Sequence, residues 1–179
     1  MILTVTDQII LREIELEDSV DIFQTINTQR EYLGKWLPFV EFTKSVDFSR
    51  SFIQSVLDIP YENRDHTFVV LYDGKFAGVA GFKGTDRVNK KTEIGYWLSE
   101  PYQHKGIMTD SVIALMRFAF DELDMNRIQI HCGVGNVPSR SIPIRLGFRF
   151  EGIERAGELF PDGRFLDLEV YSKLKNEQK

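Results

Sequence analysis

Cysteine occurs once in the chain, at Cys132, and one thiol excludes an internal disulfide framework while fitting a reducing compartment. The residue reads as a small core side chain. Long hydrophobic runs are missing as well: nothing approaches the roughly 20 apolar residues needed to cross a bilayer, and the opening MILTVTDQII carries no basic stretch of an export signal. A cytoplasmic chain without a membrane partner is expected. Histidine is scarce, and His66, His104 and His131 form no metal-ligand spacing with the cysteine, so no metal is expected. Excess positive charge is absent: the formal net charge of -5 argues against a direct nucleic-acid binder dominated by phosphate contacts and weakly favours a cationic substrate. Linker-like composition is absent too, so residues 1–179 read as one domain. No G-x-x-x-x-G-K-[ST] occurs, which disfavours a P-loop nucleotidase.

What the chain does have is core material, with 42% apolar residues and 14 phenylalanines. Ile9 to Ile14 reads as a first strand, after which Asp18 is placed to cap a helix with Val20, Phe23 and Ile26 or Asn27 near one face. A second helix is expected from about Val46 to Asp58, with Ser45 as N-cap, Phe48, Phe52, Val56 and Ile59 as its apolar stripe, and Pro60 as its stop. Between the two lies LGKWLPF, an aromatic-rich loop. From Thr67 the period changes: FVVLY, the pair Asp73-Gly74 and KFAGVAGF predict a hairpin. A strand from Thr92 to Leu98 leads through YQHKG into an apolar helix from about Ile107 to Leu123. RIQIHC is then a buried strand, PSRSIPIRL a short helix, and FRFEGIERA and RFLDLEVYSKL two strands joined across Pro161-Asp162-Gly163. The order β α α β β β α β α β β is an α+β arrangement around one mostly antiparallel sheet, with a βαβ unit in the middle.

The junction inside that unit is YWLSEPYQHKGIMTD. Where a strand turns sharply into a helix, backbone N–H groups without helical partners converge, and the helix dipole adds partial positive charge. A diphosphate suits such a place, with Gly106 letting main chain approach it and Lys105 adding charge. Taken alone, Gly106 reads first as an ordinary turn glycine. A dinucleotide-binding module is a rival, because G-V-G-N-V-P begins like G-x-G-x-x-G; Pro138 replaces its third glycine and the following helix is too short.

Four segments in register carry a resemblance: EIGYWL, P-Y-Q-x-K-G-I-M-T-D, N-V-P-S-R-S and R-L-G-F-R-F-E-G. In order and spacing they resemble the GNAT acetyltransferase superfamily, specifically its RimJ/RimL-like branch, which acetylates protein N-terminal amines. The resemblance is strongest from about Glu93 to Gly152, with LGKWLPF and P-D-G-R-F-L-D also similar to that branch. It implies a GNAT fold and an acetyl-CoA-dependent N-acetyltransferase without a metal. Gln103, His104, Lys105, Gly106, Ile107 and Met108 match the loop that holds the CoA diphosphate through main chain, although Met108 departs from the stricter Gly/Ala at the last position. Tyr96, Trp97 and Leu98 match the strand whose main chain meets the pantetheine arm. Asn136 and Ser139 match positions at the pantetheine arm and the thioester sulfur, and Glu93 lies in the strand that supplies a general base in many such enzymes.

The chemistry asks for these groups. An amine must lose its proton before attacking a thioester, and a hydroxyl such as Ser139 can protonate the departing thiolate, whose pKa is about 8.5 in model compounds. Bland readings stand beside each: Asn136 or Ser139 as a helix cap, with Pro143 at the fourth helical position if Ser139 is that cap, and Glu93 as an exposed strand carboxylate. Trp36, in a short loop beside Gly34, Lys35 and Pro38, is read as part of the acceptor cleft. Arg127, Arg140, Arg145 and Arg155 read as solvated or helix-end charges, with Arg140 the exception nearest the cofactor. The expected acceptor is a protein N-terminal α-amine, possible in a ribosomal protein; a polyamine or antibiotic amine, or a non-catalytic acyl-CoA sensor of the same fold, are the alternatives. Monomer and homodimer both stay open.

Overall fold

The computed structural model describes residues 1–178. In chain order its elements are β1 (Ile2–Thr4), β2 (Ile9–Glu13), α1 (Ser19–Thr28), α2 (Arg30–Gly34), α3 (Val46–Leu57), β3 (Thr67–Tyr72), β4 (Lys75–Asp86), β5 (Lys91–Leu98), α4 (Ile107–Arg117), β6 (Arg127–Gly133), α5 (Val137–Arg145), β7 (Arg149–Leu159) and β8 (Phe165–Leu174). The strands form one mostly antiparallel sheet in the order β1-β2-β3-β4-β5-β6-β8-β7, in which β5 and β6 run parallel. The α+β expectation with a central βαβ unit holds, and the short strand β1 and helix α2 are additions to it. By compactness the chain divides into two units, one made of Met1–Gly81 and Tyr96–Ile107, the other of Phe82–Gly95 and the chain from Met108 onward.

In the first unit Ile14, Ile22, Ile26, Leu33, Val40, Ile53, Val69 and Val79 close a core. Two helix faces differ from expectation. On α1 the inward residues are Ile22 and Ile26, while Val20 is 41% exposed. On α3 they are Ser49 and Ile53, leaving Phe48, Phe52 and, beyond the helix, Ile59 exposed. Both stripes of α3 have helical spacing; α1 and α3 pack on one another, and the small Ser49 suits that packed face where a phenylalanine would overfill it.

Local chemistry was a better guide at the caps. Ser45 Oγ accepts the Phe48 N–H at 3.3 Å. Asp18, however, does not cap α1: a 3₁₀ turn over Leu16–Asp18 puts it in helical backbone conformation, and its carboxylate instead accepts two hydrogen bonds from Arg12, at 2.6 and 3.2 Å, and one from the Glu15 N–H at 2.7 Å. The LGKWLPF segment is less open than a loop, because α2 and a 3₁₀ turn over Pro38–Glu41 take up its ends. The β3–β4 hairpin turns at Asp73 and Gly74, both with positive φ (48° and 74°), as a two-residue primed turn requires. Gly78 on β4 is dictated by a neighbour: a Cβ there would stand 2.3 Å from the Trp97 carbonyl oxygen.

In the second unit β5 and β6 share a parallel register over three pairs that ends at Glu93–Gln129, and β6 carries β8 along Arg127 to Gly133. The helix expected to reach Leu123 runs as α4 to Arg117 and continues as a wider π-type turn over Phe118–Glu122. Its apolar stripe is buried at Met108, Val112, Leu115, Ala119 and Phe120. The cap of α5 is Asn136, whose side chain accepts the Ser139 N–H. Pro143 therefore lies well inside the helix rather than at a fourth position, and it cannot donate to the Ser139 carbonyl four residues back.

Candidate active site

Within the first unit, the end of β5 and the turn before α4 hold most residues matched to the cofactor. Tyr96, Trp97 and Leu98 are half-buried. The Trp97 ring lies 5.8 Å from that of Phe76, and the Leu98 carbonyl accepts the Tyr32 hydroxyl at 3.4 Å. Gln103 donates its side-chain N–H to the Tyr32 oxygen, and Gln29 donates to Ser99 Oγ at 2.8 Å. This lattice fixes where the chain leaves the sheet. Lys105 extends its ammonium over two rings, 5.2 Å from the centre of Tyr72 and 5.4 Å from that of Tyr102.

The backbone there has an unusual form. His104 and Gly106 both take positive φ, 61° and 77°, on either side of Lys105, and alternation of this kind turns successive N–H groups toward one side as an anion-binding concavity. Ile107, the first residue of α4, opens a helix whose leading N–H groups lack intrahelical acceptors. His104, Lys105 and Gly106 are exposed, whereas Ile107 and, in the second unit, Met108 are buried. Such a turn fits a diphosphate held by main chain, and it makes the side chain at Met108 a core anchor rather than a contact.

Within the second unit, Glu93 is the hub of a charge cluster. Its Oε1 meets Lys83 Nζ at 2.8 Å and its Oε2 meets His131 Nδ1 at 2.8 Å, with the Glu93 side chain 19% exposed. His131 Nε2 lies 3.7 Å from Glu154 Oε2. Burial pushes the Glu93 carboxyl up, but the hydrogen bond from His131 and the charge of Lys83 outweigh it and hold the group below its ordinary value. For His131 the hydrogen bond to Glu93 outweighs burial and raises the imidazole. Glu93 thus stands on an enclosed side of β5, where strand alternation alone left its face open.

Asn136 and Ser139 come together at the start of α5, where Asn136 Oδ1 accepts the Ser139 N–H at 3.3 Å. Ser139 Oγ donates to Cys132 Sγ at 3.4 Å. Beside them, Glu169 is a buried carboxylate that faces Cys132 in the strand register and accepts the Tyr171 hydroxyl at 2.6 Å and an Arg140 N–H at 3.3 Å. Burial, followed by the bond to Glu169, pushes the Tyr171 hydroxyl up to about 12. Arg127 pairs with Glu151, whereas Arg145 is the helix-end charge expected, in the last turn of α5, and donates to the neutral Thr109 Oγ. Trp36 is half-buried in the first unit with the Lys35 ammonium 5.0 Å from its ring centre.

His131, Lys83, Glu154, Glu169 and Tyr171 were not singled out from sequence. Each depends on which strand lies beside which, and only the period-2 pattern of RIQIHC, which sets His131 and Cys132 on opposite faces, was available to point at one of them.

Comparisons with known proteins converge. A family described as acetyltransferase (GNAT) domain matches residues 8–149. The "Putative ribosomal N-acetyltransferase YdaF" of Bacillus subtilis (strain 168) is 38% identical, covering 97% of this chain and 94% of that protein. Among solved structures, the RimL ribosomal L7/L12 alpha-N-protein acetyltransferase in complex with coenzyme A superposes with TM-score 0.91 at 26% identity, over 97% of this chain and 98% of that one. The microcin C7 self-immunity acetyltransferase MccE, in complex with acetyl-CoA and AMP, does so with TM-score 0.90 at 30% identity, over 96% and 95%.

Proposed function

The chain belongs to the GNAT acetyltransferase family, and from that membership we propose that this acetyl-CoA-dependent N-acetyltransferase acts on the N-terminal α-amine of a protein, a ribosomal protein foremost. The observation that carries this reading is the near-full-length similarity to a protein named as a ribosomal N-acetyltransferase. Chemistry supports it, since an α-amine has a pKa near 8 and is partly neutral at physiological pH, whereas a lysine side chain near 10.4 asks far more of a base. We read residues 1–179 as one such domain working in the cytoplasm; among the described residues, no helix is long and apolar enough to cross a membrane.

In this reading the main chain of Gln103, His104, Lys105, Gly106, Ile107 and Met108 holds the diphosphate of the donor, and that of Tyr96, Trp97 and Leu98 takes the pantetheine arm. Asn136 aims the first turn of α5, and Ser139 offers its hydroxyl to the sulfur as the thiol departs, with Glu93 assisting removal of the proton that the amine loses. Trp36 covers the acceptor and excludes water.

The small molecule AMP bound with acetyl-CoA in the MccE complex favours a second reading, acetylation of an amine on a small molecule. One experiment separates the two. Purified protein is incubated with acetyl-CoA and, in parallel, N-terminal peptides of ribosomal proteins, spermidine and an aminoglycoside, and thiol release is followed. Release with peptides alone supports the first reading, release with the small amines alone replaces it with the second, and binding of acetyl-CoA without any release would point to a sensor.

A further inference from the structure

Glu93 is poorly equipped to be the proton acceptor itself. Both of its oxygens are engaged, one by Lys83 and one by His131, each at 2.8 Å, and a carboxylate stabilised twice in its charged form gains little by taking a proton. The arrangement has a different use. A carboxylate accepting from imidazole Nδ1 fixes the tautomer in which Nε2 carries the lone pair, and it stabilises the imidazolium that forms when Nε2 is protonated. His131 is half-buried on β6, which dries it enough for such a bond to matter.

The strand supplies the rest of the geometry. His131 and Cys132 are neighbours on β6 and so project from opposite faces. Ser139 donates to the Cys132 sulfur on one face, and Glu93 meets His131 on the other. An acyl transfer needs one proton removed at the nucleophile and one delivered at the leaving group, two demands that two different groups can meet.

We propose, resting on the acetyl-transfer reading above, that His131 is the general base and Glu93 the positioning residue that orients it. His131 Nε2 removes one proton from the acceptor ammonium. The freed nitrogen lone pair attacks the acetyl carbonyl carbon, the carbon–sulfur bond breaks, and the second amine proton passes to the sulfur by way of the Ser139 hydroxyl. The products are the amide and the free thiol; His131 then returns its proton to solvent. The charged groups facing the imidazole are Glu93 on β5, Lys83 on β4 and Glu154 on β7, and β8 presents Val170 opposite it in register. Glu154 Oε2, at 3.7 Å from Nε2, is beyond hydrogen-bond length, and this side chain is 52% exposed.

The test is the pH dependence of kcat at saturating peptide, using two peptides whose α-amines differ in pKa so that a limb belonging to the enzyme stays in place. His131→Gln is expected to remove that acid limb and to lower kcat near pH 7 by about 100-fold, with acetyl-CoA affinity unchanged. Glu93→Gln is expected to move the limb to lower pH and keep it. A second variant, His131→Ala, is expected to regain activity when imidazole is added to the medium. Retention of the wild-type limb in His131→Gln would overturn the proposal, as would loss of the limb in Glu93→Gln with only a displacement in His131→Gln, or no response of His131→Ala to imidazole. A wild-type protein that releases no thiol with any amine sinks the acetyl-transfer reading instead. In that case an NMR titration of the His131 ring still reads the pair, and equal pKa values in wild type and Glu93→Gln would show that Glu93 does not act on it.

Discussion

Asn136 and Ser139 are joined by one hydrogen bond, the Asn136 carboxamide oxygen accepting the Ser139 N–H at 3.3 Å, so the residue that caps α5 also holds the main chain that carries the candidate hydroxyl. The cap and the candidate donor share a single turn. Ser139→Ala is therefore expected to lower kcat by about 10- to 100-fold while leaving acetyl-CoA affinity nearly intact. An unchanged kcat in a thiol-release assay would remove Ser139 from the chemistry. Asn136→Ala should lose about 1 kcal/mol of stability with the cap and reduce kcat as well, which chemical denaturation and the same assay would show.

The turn before α4 depends on Gly106 at φ 77°. A β-branched side chain there faces a left-handed backbone penalty of about 1–2 kcal/mol before any contact with a ligand is counted. Gly106→Val is expected to weaken acetyl-CoA binding on the order of tenfold or more by calorimetry, in a protein that still melts cooperatively. Normal affinity would show that the diphosphate lies elsewhere.

At Gly78 the obstacle is steric, since an added Cβ would lie 2.3 Å from the Trp97 carbonyl oxygen. Backbone cannot rotate out of the way as a side chain can. Gly78→Ala is expected to destabilise the protein by about 1–3 kcal/mol in urea or guanidinium unfolding, and a neutral outcome would mean that β4 and β5 approach less closely than described.

The Glu93–His131 pair makes stability depend on pH in a window set by both partners. Glu93 is lowered from 4.5, so its contribution is complete above 4.5 and is lost as pH falls through the folded value; His131 is raised from 6.5, so its contribution is complete below 6.5 and is lost as pH rises through the folded value. The stability difference between wild type and Glu93→Gln is expected to be largest between pH 4.5 and 6.5 and to shrink on either side. A difference that does not vary with pH would contradict the pairing.

What could be read from sequence was what local chemistry decides. The Asp73-Gly74 hairpin, the Ser45 cap and the strand-to-helix turn at Gly106 each rest on a few consecutive residues whose backbone needs leave little choice. On α3 hydrophobicity ranks Phe48 and Phe52 above Ser49 and Ile53, whereas packing against α1 favours the smaller stripe. Asp18 departs from its expected capping role because Arg12, six residues away on β2, competes for its carboxylate better than the first amides of α1 do. The role of His131 is not local at all: its meeting with Glu93 exists only because β5 and β6 lie side by side, a relation between residues 38 positions apart in the chain that no local pattern encodes.

β4 runs out of the first compact unit after Gly81, and β5 runs back into it at Tyr96. Neither unit is therefore a contiguous stretch of polypeptide. A fragment ending at Gly81 would lack the very segment whose Trp97 oxygen lies against Gly78, and so would be missing a piece of its own interior. Recombination that shuffles contiguous blocks of coding sequence has no clean exchange point for one unit without the other, and changes to either must arise in the presence of both.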